Sequence, residues 1–170
     1  MKNIVLTGFM TSGKTMISKA IAEVYGLKYV DTDEIVVDME KRDINTIFAV
    51  NGEAYFRDVE TNAVRKAAQY QNAVIATGGG AVLRSENIDI LRKTGVIYNL
   101  APDFSLIAER VAEAAKTRPL MKGQNIDEIK ERFEKRLPFY ANCDHKIVIK
   151  KEYTPYDVAK TIYELHKEEN

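Results

Sequence analysis

One segment near the amino terminus constrains this chain more than any other: GFMTSGKT, residues 8–15, fits the pattern G-x-x-x-x-G-K-[ST]. The apolar run Asn3–Thr7 precedes it and a helix-period segment follows, so the pattern predicts a tight loop between a strand and a helix. Backbone N–H groups in such a loop bind phosphate oxygens, Lys14 adds a positive charge, and the Thr15 hydroxyl suits Mg²⁺. The segment predicts a purine nucleoside triphosphate site, but it does not separate a kinase from a switch, a motor or a binding module.

Short Val/Ile-rich runs alternate with helix-period segments along the whole chain, which is typical of an α/β protein. We expect three α/β/α layers around a parallel five-stranded sheet, with strands at Asn3–Thr7, Lys28–Asp31, Ala73–Thr77, Val96–Leu100 and Lys146–Ile149. Helices are predicted at Lys14–Tyr25, Glu34–Lys41, Asn45–Val50, Glu53–Tyr70, Ser85–Lys93, Asp103–Ala114, Asp127–Tyr140 and Tyr156–Lys167. With 170 residues and no repeat or linker, the chain is expected to form one domain, residues 1–170.

Charge and cysteine content exclude several classes of function. Lys and Arg total 25 and so do Asp and Glu, so the formal charge is zero and gives no electrostatic basis for binding nucleic acid or an anionic membrane. No apolar run approaches the roughly 20 residues that span a bilayer, and the first residues are typical of a strand, not a signal peptide. Cys143 is the only cysteine, which excludes an intrachain disulfide and favours a reducing, cytoplasmic location.

Two carboxylates follow the second predicted strand, Asp31 and Asp33 in the sequence DTD. At the carboxyl end of a parallel strand they would face the phosphate loop, where one can hold a metal-bound water and the other accept a hydroxyl proton. The alternative is that one of them, most readily Asp33, caps the helix predicted to begin at Glu34. Capping and acceptor binding do not exclude each other.

Three further patterns combine charge or glycine with a defined position. Arg57 and Glu60 lie three residues apart on one helix face, as Arg132 and Arg136 lie four apart on another; exposed charge is the simpler interpretation of both pairs. Gly78–Gly80 follow the third strand and let backbone approach a ligand closely, whereas a flexible turn needs only one glycine. Residues 115–125 are basic and lack a helical period, which predicts either a mobile loop or a solvated connector.

Taken together and in this order, the motifs resemble the shikimate kinase family over essentially the whole chain. The resemblance rests on the phosphate loop, DTD, FRDVE at residues 56–60, the three glycines, RPL at residues 118–120, and Arg136 with Tyr140. It implies a P-loop kinase fold with a phosphate loop at 8–15, an acceptor-binding helical segment at about 32–62 and a mobile lid at about 115–125. It implies ATP-dependent phosphorylation of the shikimate 3-hydroxyl, in the pathway to chorismate and the aromatic amino acids.

The resemblance also assigns roles on the acceptor side. Arg57 and Arg136 would bind the shikimate carboxylate through charge-assisted, bidentate hydrogen bonds, with Glu60 holding Arg57. Asp33 would orient the 3-hydroxyl and accept its proton, or only position it, and the substrate contacts would include Gly78, Gly79 and Gly80. Lys14, Asp33 and Arg118 would be the catalytic residues, with Arg118 closing from the lid onto the phosphates.

On the nucleotide side, the resemblance implies ATP as co-substrate with Mg²⁺ held by Thr15 and by Asp31 through water. The implied nucleotide contacts are Gly8, Thr11, Ser12, Gly13, Lys14, Thr15, Met16, Arg110, Arg118 and Pro155, with Arg110 and Pro155 on either side of adenine. We expect no nucleic-acid or membrane partner, and a monomer.

The chain departs from the family at Thr11, where glycine is usual. Because a β-branched residue disfavours positive φ, we expect Thr11 at negative φ. Three alternatives stay open at this point. One is a gluconate-type kinase with a similar phosphate loop, another is a nucleotide-binding regulatory domain without turnover, and the third is a nucleoside monophosphate kinase, although no base-reading motif is evident.

Overall fold

The computed structural model describes residues 1–117 and 123–170. Five strands form one fully parallel sheet in the order β2-β3-β1-β4-β5. They are β1 (Asn3–Thr7), β2 (Lys28–Asp31), β3 (Ala73–Ala76), β4 (Gly95–Pro102) and β5 (His145–Ile149). Every residue of β1 and β3 is buried, because helices cover both faces of the sheet centre. The predicted five-stranded parallel sheet is confirmed.

In residues 1–117 and 123–170, seven helices surround the sheet, with a short 3₁₀ turn at Ala81–Leu83. They are α1 (Lys14–Tyr25), α2 (Thr32–Glu40), α3 (Ile44–Ala67), α4 (Ser85–Arg92), α5 (Phe104–Thr117), α6 (Ile126–Tyr140) and α7 (Pro155–Glu168). Thr154 and Asp157 form a capping box around Pro155, which begins α7. None of these helices has the length and apolar character to cross a membrane.

Alternate residues of the strands feed two cores on opposite faces of the sheet. Ile4 and Leu6 of β1 pack with residues of α1 and α7, whereas Val5 packs on the other face with residues of α3, α4, α5 and α6. This alternation is the two-residue period of a strand. It produces the three layers that the sequence predicts.

A third, smaller core lies away from the sheet, between α2 and the first part of α3. It contains Val36, Ile47 and Phe56. The sequence predicts two helices here, at 45–50 and 53–70, and the span of α3 does consist of two helical segments, joined by a kink at Gly52, where the backbone is not helical (φ 82°, ψ 175°). Glycine adopts this backbone without steric cost, so the chain changes direction between the two segments.

Several predicted boundaries shift by one to three residues, and two of these shifts bear on the site. Helix α2 begins at Thr32, two residues early, and its cap is Asp31, whose Oδ1 accepts from the N–H groups of Asp33 (2.8 Å) and Glu34 (3.3 Å). Asp33 therefore lies in the first turn of α2. The suggestion from the sequence that Asp33 is the cap is wrong. Helix α5 continues to Thr117, so the first three residues of the predicted lid are helical. Residues 118–122, including Arg118, lie outside the described residues.

Candidate active site

The phosphate loop joins β1 to α1, as predicted. Gly8 and Gly13 have φ values of 155° and 97°, and a Cβ on Gly8 would lie 3.0 Å from the carbonyl oxygen of Leu100. Gly13 is the N-cap of α1 and provides no side-chain hydrogen bond there. The first N–H groups of α1 are therefore available to an anion, at the positive end of the helix dipole.

Lys14, the first residue of α1, turns its ammonium group back into the loop. It donates to the carbonyl oxygens of Gly8 (2.5 Å) and Phe9 (3.0 Å). Burial lowers the pKa of Lys14 to about 8, although the nearby Asp33 and Asp31 raise it. A bound polyphosphate adds negative charge beside this lysine, which favours its charged form.

Thr11 contradicts the expectation of negative φ: its φ is 58°. The Ser12 N–H donates to the carbonyl oxygen of Phe9 at 3.2 Å, so residues 9–12 form a closed turn with Thr11 in its third position. A closed turn with negative φ at its second residue and positive φ at its third is of type II, in which glycine is usual at the third position. The left-handed conformation costs Thr11 about 1–2 kcal/mol, and loop closure overrides that preference.

Asp31, at the end of β2, has both carboxylate oxygens engaged. Oδ1 caps α2, and Oδ2 accepts a hydrogen bond from the Tyr29 hydroxyl at 3.0 Å. Burial together with Asp31 raises the pKa of Tyr29, and the Thr15 side chain opposes this effect. The hydrogen bond from Tyr29 to Asp31, one of the two residues predicted to hold the metal, is a contact that sequence reasoning missed.

Asp33 faces the same cavity from the first turn of α2. Burial and, to a smaller extent, the neighbouring carboxylates of Asp31 and Glu60 raise its pKa to about 6, against the opposing effect of Lys14 and Arg57. A carboxylate with this pKa is ionised near neutral pH and is well matched to accept a proton from a hydroxyl.

Arg57 and Glu60 form a buried ion pair, not the exposed one that is usual on a helix. Their Nη1–Oε1 distance is 2.8 Å, and the side chains are 12% and 1% exposed. Burial raises the pKa of Glu60 even though Arg57 opposes this effect. The Nε of Arg57 is buried and has no partner among the described residues. A ligand carboxylate would satisfy that donor, since a guanidinium binds carboxylates through two parallel N–H groups.

Two of the three glycines make room for charged side chains. A Cβ on Gly78 would lie 2.6 Å from Oδ1 of Asp33, and a Cβ on Gly80 would lie 2.5 Å from two nitrogens of Arg57. Neither glycine has positive φ. Glycine is required at these two positions because there is no space for a Cβ, and not because of the backbone conformation. Any larger residue therefore displaces Asp33 or Arg57.

Helix α6 closes the cavity from the opposite side. The Tyr140 hydroxyl donates to the carbonyl oxygen of Gly79 at 2.6 Å, and the Arg136 guanidinium lies 5.8 Å from the centre of the Phe9 ring. A Cβ on Gly79 would be 3.6 Å from Nη1 of Arg136, an ordinary contact. Arg136 therefore reaches the cavity beside the phosphate loop.

The acceptor cavity has a volume of about 360 Å³. It brings together nearly all the residues predicted on this side, together with others that sequence reasoning had not assigned to the site. The predicted members are Lys14, Thr15, Asp31, Asp33, Arg57, Glu60, Gly78, Gly79, Gly80 and Arg136. The additional ones include Ile44, Phe48 and Phe56, which supply an apolar wall, and Arg132. In the sequence, the only sign of a role for Arg132 is its position four residues before Arg136, on the same helix face.

A second cavity, the nucleotide cavity, lies on the other side of the phosphate loop and has a volume of about 520 Å³. Its lining includes the predicted residues Thr11, Ser12, Gly13, Met16, Arg110 and Pro155. Arg110 and Pro155, 45 positions apart in the chain, thus meet at one site. Tyr153 and Ile149 also line it and were not predicted, because single apolar residues carry no sequence signal.

Comparisons with known proteins agree with this geometry. A family model described as Shikimate kinase matches residues 10–167. The Shikimate kinase of Caldicellulosiruptor bescii is 47% identical over 86% of both chains, and that of Thermodesulfovibrio yellowstonii is 42% identical over 95% of this chain and 93% of its own. A solved structure of shikimate kinase from Acinetobacter baumannii in complex with shikimate superposes with a TM-score of 0.85. It has 29% identity and covers 100% of this chain and 95% of its own. With its phosphate loop, buried Arg57–Glu60 pair and three glycines placed around one cavity, the chain belongs to the shikimate kinase family.

Proposed function

We propose that this protein transfers the γ-phosphoryl group of ATP to the 3-hydroxyl of shikimate, giving shikimate 3-phosphate and ADP. The observation that carries the proposal is the acceptor cavity, in which an arginine whose buried Nε has no partner in the part of the chain that the structure describes faces a carboxylate and the phosphate loop. Shikimate has a ring carboxylate for the arginines and hydroxyls for Asp33. The cavity volume of about 360 Å³ suits a small acceptor of this kind.

The acceptor binds between two arginines. Arg57, oriented by Glu60, and Arg136 hold the carboxylate, while Ile44 and Phe48 pack against the apolar part of the ring. These contacts place the opposite end of the ring toward Asp33 and the phosphate loop. Holding the hydroxyl in line with the phosphoryl group is the main part of catalysis in phosphoryl transfer, because the transition state is loose.

Asp33 and Lys14 act on the reacting atoms. Asp33 accepts the proton of the 3-hydroxyl as the oxygen–phosphorus bond forms and the bond to the ADP oxygen breaks. Lys14 neutralises charge on the transferring group. Lys14 donates hydrogen bonds to the carbonyl oxygens of Gly8 and Phe9, and it would exchange these partners for phosphate oxygens in contacting ATP.

Thr15 and Asp31 fit a magnesium ion. Mg²⁺ prefers oxygen ligands and is held in kinases by one or two protein groups plus substrate phosphates and waters. The Thr15 hydroxyl and the Asp31 carboxylate, which line the same cavity, supply that donor set. When bound, the ion would neutralise charge on the phosphates.

The adenine would lie in the nucleotide cavity between Arg110 and Pro155, with Met16 and Tyr153 on its sides. We also infer one domain over residues 1–170, with an acceptor-binding segment at about 32–62 and a lid at about 115–125, acting as a monomer in the cytoplasm. The catalytic role of Arg118 stays a prediction.

The decisive test follows ADP release in a coupled assay with Mg-ATP. Shikimate, gluconate and nucleoside monophosphates are compared with no acceptor. We expect turnover that depends on shikimate alone. Turnover with gluconate or a nucleotide would reassign the acceptor, and ATP binding without stimulation by any acceptor would indicate a regulatory domain.

A further inference from the structure

Arg110 has a contact that a role in binding adenine does not require. Its Nη1 donates a hydrogen bond of 2.8 Å to the carbonyl oxygen of Thr11, 99 positions away in the chain. The same nitrogen lies 4.0 Å from the position of a Cβ on Gly13. The guanidinium group therefore rests against the phosphate loop at its left-handed residue.

Thr11 needs such a contact, because its own side chain does not stabilise the turn. Its Oγ1 is buried and has no hydrogen-bond partner among the described residues, and its φ of 58° is unfavourable for a β-branched residue. The Ser12–Phe9 bond closes the turn at 3.2 Å. The Ser12 N–H and the Thr11 carbonyl belong to one planar peptide, so this bond and the Arg110 bond hold the same peptide from its two sides.

Helix α5 is a rigid support for this contact. Ile107 and Val111, on either side of Arg110, are 0% and 5% exposed and belong to the core beneath the sheet. These buried neighbours fix the position of the helix from which the Arg110 side chain reaches the loop. A hydrogen bond from a charged donor is stronger than a neutral one and is directional, so it selects one orientation of the Thr11–Ser12 peptide.

We propose that Arg110 is a positioning residue for phosphate binding: by bonding the Thr11 carbonyl, it holds the loop in a conformation that glycine would adopt unaided. This rests on the proposed function only for the binding of nucleotide at this loop. It predicts that the loss of phosphate affinity caused by removing Arg110 depends on residue 11. This loss should be smaller when Thr11 is replaced by glycine.

The test is a double-mutant cycle with Arg110→Met, Thr11→Gly and the double variant. Methionine keeps the length of the side chain and removes its donors. Affinity is measured by calorimetry for ADP and, separately, for tripolyphosphate, which has no base to contact Arg110. Arg65→Met serves as the matched control, because Arg65 is exposed and pairs with Glu86. Melting curves confirm that every variant is folded.

We expect Arg110→Met to weaken ADP binding by about tenfold or more, with tripolyphosphate also weakened and Arg65→Met unchanged for both ligands. Adding Thr11→Gly to Arg110→Met restores most of the tripolyphosphate affinity and part of the ADP affinity. If tripolyphosphate affinity is insensitive to Arg110→Met, or if the loss is the same with Thr or Gly at position 11, the proposal is wrong. The first outcome assigns Arg110 to the base alone, and the second to direct contact with phosphate.

These titrations contain no acceptor. A failure of shikimate phosphorylation in the coupled assay therefore leaves their result intact, and a failure of the cycle leaves the proposed reaction intact. The coupling also appears in kinetics: Arg110→Met raises the KM for ATP more than it changes kcat, and Thr11→Gly reduces that rise.

Discussion

The acceptor cavity and the nucleotide cavity meet at the phosphate loop, but they are built from different parts of the chain. The acceptor cavity is lined by charged side chains, with Glu60 holding Arg57 at 2.8 Å. The nucleotide side offers loop backbone, in which Gly13 and Thr11 adopt positive φ. A charged side chain can be removed by substitution, whereas a backbone N–H cannot, so the acceptor side is the more sensitive to single substitutions.

Glycine serves opposite purposes in the two regions. Gly78 and Gly80 have no positive φ but leave no space for a Cβ beside Asp33 and Arg57. Gly13 has positive φ, and the nearest atom to its Cβ position is a flexible Ile17 carbon at 3.3 Å. The acceptor glycines are therefore required for volume, and Gly13 for conformation.

The largest effect should come from Arg57→Ala. It removes a contact to the acceptor carboxylate and leaves Glu60 buried without a partner, so we expect kcat/KM for shikimate to fall by about 1000-fold and ADP affinity to stay within twofold. Steady-state kinetics and calorimetry measure the two values. Arg65→Ala, on the same helix but paired with exposed Glu86, should change neither. Equal losses for acceptor and nucleotide would contradict the separation of the two cavities.

Asp33→Asn should have the next largest effect, with about a 100-fold loss of kcat. The parent enzyme requires ionised Asp33, whose pKa is raised to about 6, so its kcat/KM for the acceptor should fall as pH drops below about 6. The Asn variant should lack this acidic limb. Retention of most of kcat in the variant would show that Asp33 positions the hydroxyl without accepting its proton.

The same substitution carries a stability prediction with a definite sign. Folding raises the pKa of Asp33 from 3.8 to about 6, so the ionised form destabilises the fold above about pH 6 and this penalty is gone below pH 3.8. We expect Asp33→Asn to stabilise the protein at pH 7.5 by about 1–2 kcal/mol, discounted for solvent screening, and less at pH 4.5. Denaturant unfolding at the two pH values tests this.

Gly80→Ala should weaken acceptor binding by about tenfold, because its Cβ would lie 2.5 Å from the Arg57 nitrogens and the guanidinium would shift from its optimal geometry. Gly79→Ala is the graded comparison, since its Cβ meets Arg136 at 3.6 Å. A KM for shikimate that rises more in Gly79→Ala than in Gly80→Ala would refute the claim that glycine is required at position 80 for lack of space.

The smallest effect is expected in the loop. Thr11→Gly relieves a left-handed threonine but increases the freedom of the unfolded chain, which leaves a net stabilisation of about 0.5–1 kcal/mol. Thermal unfolding without ligand measures it. Thr11→Ala provides the control, because it removes the β-branch and keeps the Cβ. Its stability should lie between those of the parent protein and Thr11→Gly. A destabilised Thr11→Gly would mean that the threonine side chain supports the loop.

Much of the site was predictable because local chemistry and chain order suffice for it. The phosphate loop, the pair Asp31 and Asp33, and the span from Arg57 to Glu60 are visible as short patterns, and the carboxyl ends of parallel strands bring such patterns to one edge. The apolar wall of Ile44 and Phe48 was not predictable. Apolar residues at helical spacing are the same in a core and in a ligand cavity.

The sequence alone determined the strand–loop–helix at Gly8–Thr15, the alternation that builds a parallel sheet, and the order of the motifs, because these depend on periodicity and on neighbours along the chain. Only the tertiary structure decided that Asp31 caps α2 while contacting Tyr29, and that the Arg57–Glu60 pair is buried. It also decided that Thr11 adopts positive φ. Each of these outcomes depends on burial or closure by distant residues, and such long-range constraints outweigh the local preferences that a sequence expresses.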